Sequence, residues 1–288
     1  MASGAGRPIS AIGLFRHPHH PGAAPLAEAI AAWLRKQGVR VWETDRLDPG
    51  VASEVAAVDL LVTLGGDGSI LRAARLAAGH LTLILGINLG RMGFLTETEP
   101  DRWPEVLSRV LEGKYWVEER MMLRARAFRE ETLLAEGEAL NDVVVGQGTL
   151  GRVVRLEARV DGDLLTTYVA DALIIATPTG STAYALAAGG PIMPPQQRNI
   201  LLVPVAPHLS LDRAVVLAEG VQVQVVVRGH SPAAFTLDGE LTAPLAPGDR
   251  VEVAASPHVA RFARVRERDY FYRTLMERLV PREAGGKF

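Results

Sequence analysis

The sequence predicts an α/β domain with a parallel sheet, then a β-rich domain of antiparallel, sandwich-like construction, and a C-terminal helix that packs back. Three observations support this prediction. Apolar strands alternate with helices up to about Lys114, strands become short and closely spaced after Val117, and an amphipathic stretch closes the chain. We therefore expect domains at residues 1–116 and 117–265, with the last helix and tail at 266–288.

The first domain is predicted from a repeated order of strand, loop and helix. The apolar run Ile9–Phe15 precedes a helical pattern over Ala23–Gln37, and two buried-type strands at Val58–Leu64 and Leu81–Ile87 enclose a helix at Ile70–Ala78. Strands that alternate with helices are joined by parallel crossovers, and such sheets are covered on both faces. We therefore expect the first domain to be an open α/β sheet.

The second domain is predicted from short strands with Gly, Asp and Pro at the joints. One helix, from Ser181 or Thr182 to about Ala188, interrupts them, and Asp269–Val280 forms the closing helix. The predicted strands are Met121–Phe128, Leu133–Leu140, Asp142–Val145, Arg152–Val160, Leu164–Val169, Ala172–Ala176, Asn199–Pro204, Ala214–Leu217, Val221–Val227, Ala233–Leu237 and Asp249–Ala254.

Composition narrows the class of protein. The 288 residues are 48% hydrophobic and 22% charged, with a net charge of -2, so no overall basic field favours a nucleic acid or an anionic membrane. There is no cysteine, which excludes disulfides and thiolate chemistry. The first residues lack an apolar signal core, and no apolar run reaches the ~18 residues of a membrane span. We expect a cytoplasmic protein.

A glycine-rich turn around Asp67 is the first candidate site. The segment Gly65–Ser69, GGDGS, lies between an apolar strand and a helix, where backbone N–H groups and the helix dipole suit phosphate oxygens. The structural alternative is a tight turn in which Asp67 or Ser69 caps the helix. The turn follows the carboxyl end of a strand, where open α/β sheets bind ligands, and this favours a functional site.

Two familiar nucleotide motifs are excluded or disfavoured. No GxxxxGK[ST] occurs, so there is no P-loop. Gly146–Gly151 matches GxGxxG, but the following residues Arg152–Val160 alternate as a strand, whereas a dehydrogenase fingerprint opens a helix. We interpret these glycines as a hairpin loop. The histidines at 17, 19 and 20 are interpreted as a plain surface loop.

Read together and in order, four segments resemble the bacterial NAD kinases. They are GGDGS at Gly65–Ser69, GINLGRMGFL at Gly86–Leu95, the pair Asn141-Asp142, and TPTGSTAYALAAGGPI at Thr177–Ile192. GGDG alone also occurs in diacylglycerol and sphingosine kinases and, in related form, in phosphofructokinases. The long Thr177–Ile192 segment favours NAD kinase among them.

The resemblance implies a role for each matching residue. Asp67 would be the catalytic general base, which takes the proton from the 2′-hydroxyl of the adenosine ribose of NAD. Asn141 and Asp142 would hold the adenosine part, and Asp171 the nicotinamide end. The phosphate loop would be Gly65, Gly66, Gly68 and Ser69, and the remaining implied NAD contacts are Gly68, Arg72, Arg152, Val169, Thr182, Ala183, Tyr184, Ala185, Leu186, Ala187 and Glu240.

The implied reaction makes NADP from NAD and ATP, or from another phosphate donor. Mg²⁺ would be held through the donor phosphates, with no metal site fixed by protein groups alone. The resemblance also implies a homodimer or homotetramer. Two alternatives stay open: a lipid or sugar kinase that shares GGDG, and a dinucleotide-binding sensor without catalysis.

Overall fold

A computed structural model of the chain describes residues 7–90, 92–148, 152–208 and 210–279. It divides into two compact units, Met1–Glu119 with Arg261–Phe288, and Arg120–Ala260. The sequence-predicted domain limits at 116/117 and 265/266 stay a prediction. None of the helices in the described part of the chain has the length and apolar character needed to span a membrane.

The first unit contains a parallel sheet, as predicted. The strands are β1 (Ala11–Arg16), β2 (Arg40–Thr44), β3 (Leu60–Leu64), β4 (Leu83–Ile87) and the last part of a long strand, β16 (Arg250–Arg264). The first four lie in the order β2-β1-β3-β4, and β16 pairs parallel with β4 where Phe262 meets Ile84. β3 and β4 are buried along their whole length, as expected for a sheet covered on both faces.

The described residues of this unit form five α-helices: α1 (Ala23–Lys36), α2 (Ala52–Ala56), α3 (Asp67–Ala77), α4 (Trp103–Leu111) and α6 (Tyr270–Leu279). α1 buries Ala27, Ile30 and Leu34 against the sheet, because these residues recur on one helical face. In α6, the buried Tyr270 donates its hydroxyl to Glu118, so the closing helix packs back as predicted.

The second unit is built from antiparallel strands. The strands are β5 (Trp116–Arg129), β6 (Thr132–Ala139), β7 (Asp142–Gln147), β8 (Val154–Val160), β9 (Asp163–Ala170), β10 (Ala172–Ala176), β11 (Asn199–Val205), β12 (Val215–Ala218), β13 (Val223–Arg228), β14 (Ala233–Leu237) and β15 (Glu240–Leu245). One sheet has the order β12-β11-β10-β7-β14-β15. Among the other strands, β13 pairs with β8 and β16, β8 pairs with β9, and β5 pairs with β6 and β16. Inward side chains of both sets, such as Val143, Phe235, Leu156 and Val225, form one core cluster. The sandwich-like prediction is confirmed.

One turn prediction was wrong. β8 is a strand and not the helix that a dehydrogenase fingerprint opens, as predicted, but β7 and β8 do not pair in a hairpin. β7 lies between β10 and β14 of one sheet, whereas β8 lies between β13 and β9. The glycine-rich segment between them carries the chain from one sheet to the other, and residues 149–151 lie outside the described part.

Candidate functional site

Asp67 is the first residue of α3, directly after the turn that follows β3. Gly66 occupies the N-cap position without a side-chain cap, so neither Asp67 nor Ser69 is the capping residue. The Asp67 carboxylate turns instead to the segment after β4. Its Oδ2 accepts the backbone N–H of Phe94 at 2.9 Å, and its Oδ1 accepts that of Leu95 at 3.2 Å.

A glycine makes this close approach possible. A Cβ added at Gly93 would overlap the carboxylate of Asp67, whereas one added at Gly90, in the same segment, would meet nothing within 4 Å. In the motif GINLGRMGFL, the third glycine, Gly93, therefore has no room for a side chain, whereas the second, Gly90, has. Gly93 lets the backbone lie against the aspartate.

The carboxylate of Asp67 keeps acceptor capacity beyond these two bonds. Two oxygens offer about four lone-pair sites, and the two amides take one on each oxygen. The residue is half-buried, so the remaining sites can meet a ligand. The carboxylate is thus fixed in direction by backbone donors, without a positively charged partner among these contacts.

The glycines of the turn leave room beside it. A Cβ at Gly66 or Gly68 would meet no protein atom within 4 Å, and both residues are exposed. Gly65 is buried and its Cβ would overlap the hydroxyl of Ser69. Arg72, one turn into α3, is exposed. The exposed backbone at the start of α3 suits phosphate oxygens.

In the second unit, a cavity of about 570 Å³ brings together five of the predicted residues. This volume lies within the usual range of small-molecule sites. The predicted residues are Asn141, Asp142, Asp171, Ala183 and Tyr184, and the sequence reasoning missed the other lining residues, Val144, Gly146, Gln147, Ala172, Val205, Ala234, Thr236, Asp238 and Gly239.

Two acidic residues, Asp142 and Asp238, line this cavity. Asp142 is 4% exposed, and burial, followed by the charge of Asp238, raises its pKa to about 7. Asp238 accepts the backbone N–H groups of Leu140, Asn141 and Asp142 at 3.0, 2.7 and 3.2 Å. Asp238 therefore orders the start of β7 and at the same time holds its neighbour towards the neutral form.

Asp238 could have been found from one local pattern. Asp238 and Gly239 join β14 to β15, and both have positive φ, 49° and 79°, as a two-residue hairpin of this type requires. The pair Asp-Gly between strands is a strong hairpin indicator. It does not reveal that the carboxylate of the turn reaches a strand nearly a hundred residues earlier.

The hydroxyl groups of the Thr177–Tyr184 segment build the segment itself. Thr177 donates to the carbonyl of Leu140 at 2.6 Å, and Ser181 donates to that of Pro178 at 2.7 Å while accepting the N–H of Met193 at 2.9 Å. A Cβ at Gly180 would overlap the backbone of Asn141. These contacts fix a short 3₁₀ turn and the four-residue helix α5 (Tyr184–Ala187).

Asp171 lies opposite β7 and is tied to it. Its carbonyl accepts the N–H of Gln147 at 2.9 Å, and its carboxylate accepts the side-chain amide of the same glutamine. Its own N–H donates to Val205 at 2.9 Å. Asp171 is half-buried, so its carboxylate lines the cavity with one oxygen already engaged.

The other predicted residues of this unit lie apart from the lining. Ala185 is buried, Ala187 and Glu240 are exposed, and the backbone of Val169 is hydrogen-bonded to His208 and Ser210. The predicted residues that do not line the cavity are Arg152, Val169, Thr182, Ala185, Leu186, Ala187 and Glu240. Their roles stay predictions.

Within residues 7–90, 92–148, 152–208 and 210–279, no group of three or more His, Asp or Glu side chains could hold a metal ion. In the loop of the three histidines, Nδ1 of His17 and Nδ1 of His20 accept backbone N–H groups of the same loop. These bonds fit the interpretation as a surface loop.

Comparison with known proteins identifies the family. The ATP-NAD kinase N-terminal domain matches residues 44–115, and the ATP-NAD kinase C-terminal domain matches residues 140–265. The chain is 40% identical over 277 residues to the NAD kinase of Heliobacterium modesticaldum, covering 93% of this chain and 98% of that one. It is 41% identical over 287 residues to the NAD kinase of Moorella thermoacetica, covering 96% and 90%.

Solved structures agree in fold. A yeast NADH kinase complexed with NADH superposes with a TM-score of 0.84 at 23% identity, over 98% of this chain and 90% of that one. An NAD kinase from Archaeoglobus fulgidus in complex with ATP gives a TM-score of 0.75 at 25% identity, over 93% and 97%. With both domains matched and relatives similar over nearly their whole length, the chain belongs to the NAD kinase family.

Proposed function

We propose that the chain phosphorylates the 2′-hydroxyl of the adenosine ribose of NAD to make NADP, with ATP or another phosphate donor and with Asp67 as the general base. NAD phosphorylation is the activity of its family. The assignment of residues rests on the two arrangements described above: an aspartate fixed by backbone amides at the start of α3, and a polar-lined cavity beside β7.

The reaction needs a proton acceptor whose position is fixed. A ribose hydroxyl is too weakly acidic to ionise first, so its proton leaves as the new bond to phosphorus forms and the bond to the donor's leaving oxygen breaks. Asp67 takes that proton on a lone pair that Phe94 and Leu95 do not use. The fixed carboxylate lowers the cost of orienting base and hydroxyl.

The cavity of the second unit supplies the binding site for NAD. Asn141 and Asp142 would hold the adenosine part. The amide of Asn141 and the carboxyl group of Asp142, whose pKa is about 7, together offer donors and acceptors to a purine edge. Asp171 would hold the nicotinamide end, and Tyr184, exposed at the rim, would lie against the dinucleotide.

Mg²⁺ is proposed to enter with the donor phosphates. Magnesium sites often combine one or two carboxylates with substrate phosphates, and Asp67, with its spare acceptor sites, is a suitable carboxylate. When bound, the ion neutralises charge on the phosphates. The exposed amides at the start of α3 would hold the phosphates, and Asp67 would hold the ion beside them.

A cytoplasmic location, the absence of nucleic-acid and membrane partners, and assembly into a homodimer or homotetramer are part of the same proposal. The two exposed leucines of β9, Leu164 and Leu165, support assembly, because β9 ends its run of paired strands and strand edges can pair across subunits.

The observation that carries the proposal is the pair of amides on Asp67, and Asp67→Asn tests it. Asparagine nearly keeps the shape but cannot accept the proton, so we expect kcat to fall by at least about 100-fold. KM for NAD should stay within about threefold. The thermal midpoint should fall by only a few degrees, since at most one of the two amide bonds is lost, at about 1 kcal/mol.

Asp48→Asn is the matched control. Asp48 is a true capping aspartate, whose carboxylate accepts the N–H of Gly50 at 2.8 Å, and asparagine caps about as well as aspartate. We expect unchanged kinetics for this variant. An Asp67→Asn enzyme within a few-fold of the parent would reject the role of Asp67 as base.

A further inference from the structure

An ion cluster is buried within the first unit. Arg264 is fully buried, and the side chains of Glu97 and Glu118 are each only 2% exposed. A buried ion pair is a weak source of stability, because desolvation offsets much of its attraction. The main effect of the cluster is therefore expected on the groups that it holds in place.

The cluster binds two consecutive carbonyl groups of the segment that follows Gly93. Arg264 donates through Nη1 to the carbonyl of Leu95 at 2.8 Å, and Arg266 donates to the carbonyl of Thr96. Glu97 joins the two arginines: its Oε2 accepts Arg264 Nη1 at 3.1 Å and Arg266 Nε at 2.9 Å.

The same glutamate also binds the strand end that carries the arginines. Glu97 Oε1 accepts the backbone N–H groups of Val265 and Arg266 at 2.8 and 2.9 Å. Behind Arg264, Glu118 accepts its Nε at 2.8 Å. Arg264 is thus held on one side by Glu118 and on the other by the segment itself.

The bound segment is the one that holds Asp67. Leu95 directs its N–H to the Asp67 carboxylate and its carbonyl to Arg264, and Phe94 provides the second amide. Residues 93–97 form neither helix nor strand, so no regular pattern of backbone bonds fixes them. Glu97 donates its backbone N–H to the carbonyl of Gly86 at 2.8 Å, and the charged groups fix the carbonyls of Leu95 and Thr96.

We propose that Arg264 and Arg266, joined through Glu97, are positioning residues for Asp67. They fix Phe94–Thr96 so that its two amides hold the carboxylate in the direction needed for proton transfer. The proposal rests on Asp67 as the general base. Because a displacement of about 1 Å can cost about 100-fold in rate, a loosened segment should lower kcat without any change in the residues that bind NAD.

Arg264→Lys is the test. Lysine keeps the charge but not the fork that reaches Glu118, Glu97 and Leu95 together. We expect kcat to fall by about 10- to 100-fold, with KM for NAD within about threefold. Hydrogen exchange should become faster at the amides of Phe94 and Leu95, a readout that does not depend on turnover.

The matched control is Arg129→Lys in the second unit. Arg129 makes a two-pronged bond to the buried Asp249, at 3.0 and 2.9 Å, so the substitution removes the same kind of fork from a buried carboxylate. We expect a lower thermal midpoint, unchanged kcat and unchanged exchange at Phe94 and Leu95.

A double variant separates positioning from a general loss of structure. In an Asp67→Asn background, Arg264→Lys should cause no further fall in kcat, since the group through which it acts is gone. Multiplied losses would overturn the proposal, as would a kcat for Arg264→Lys within twofold of the parent. Should Arg264→Lys fail to fold, Arg266→Lys, at a less buried position, carries the same test with the same expected and opposing results.

The two hypotheses fail in distinguishable ways. An inactive Asp67→Asn beside a fully active Arg264→Lys rejects the positioning role and leaves the base role intact. A fully active Asp67→Asn rejects the base role, and the positioning role with it.

Discussion

The two carboxyl groups proposed to act on NAD, Asp67 in the first unit and Asp142 in the second, are held in opposite ways. Asp67 is half-buried and receives one backbone N–H on each oxygen. Asp142 is buried within β7, and burial together with the neighbouring charge of Asp238 raises its pKa to about 7. One arrangement fixes a direction; the other brings two protonation states close in free energy.

This difference shows that backbone contacts and burial can give two aspartates different properties. Amide donors orient a carboxylate without adding a mobile side chain, which suits a base that must meet one hydroxyl group. A carboxyl group with a pKa near 7 can donate or accept a hydrogen bond, which suits recognition of a purine edge. The following substitutions test each half of this comparison.

Gly93→Ala should have the largest effect. The new Cβ would overlap the Asp67 carboxylate, so the aspartate or the segment must move. We expect kcat to fall by about 100-fold, with KM for NAD little changed, in steady-state assays of NADP formation. Gly90→Ala is the control in the same segment, since its Cβ meets nothing within 4 Å. Equal activity of the two variants would show that the approach of Gly93 to Asp67 is not needed.

Gly68→Ala should separate stability from activity. Gly68 is exposed in the first turn of α3, and an added Cβ meets nothing within 4 Å. Because alanine has the higher helix propensity, the substitution should raise the free energy of unfolding by up to about 1 kcal/mol, and the thermal midpoint with it. A phosphate close to the backbone would meet that Cβ, and we expect kcat/KM for ATP to fall by about 10-fold. A stabilised variant with parental kinetics would remove the phosphate from this position.

The sequence was sufficient to predict the strands and helices whose residues alternate or recur regularly. β10 and β14 have the predicted limits, and α1 begins at the predicted residue. β15 was not predicted, because ELTAPL contains a proline and lies at a sheet edge, where patterning is weak. β16 extends ten residues beyond its predicted end, since Ser256, Pro257 and His258 interrupt its pattern.

The site was predictable only where side chains carry the chemistry. Asp67 was a candidate because a carboxylate in a glycine-rich turn at the end of a strand is unusual. Asn141, Asp142 and Asp171 were assigned through the resemblance to the NAD kinases, and their roles stay predictions. The amides of Phe94 and Leu95 could not be found in this way, because every residue except proline has an N–H. Arg264 was hidden for another reason: in a segment rich in arginine, composition does not reveal which guanidinium is buried.

Asp142→Asn tests the other half of the comparison, through binding and pH. Asparagine cannot ionise, and its NH2 group puts a fixed donor where the carboxyl group has an oxygen, so we expect KM for NAD to rise by about 3- to 10-fold. The stronger test is stability. A carboxyl whose pKa is about 7 in the folded chain and ~3.9 when unfolded contributes stability that is full below about pH 4 and is lost as the pH rises through 7.

The parent should therefore lose stability between pH 5 and 7 through this group, by at most about 1.4 kcal/mol per pH unit, whereas the variant has no such loss. The difference in thermal midpoint, variant minus parent, should grow across this window and level off above about pH 8. Asp212→Asn, at an exposed position, should show no such growth. A difference for Asp142→Asn that is constant from pH 5 to 8 would mean that Asp142 ionises near its ordinary pKa. In that case the contrast with Asp67 would be one of burial and backbone contacts alone.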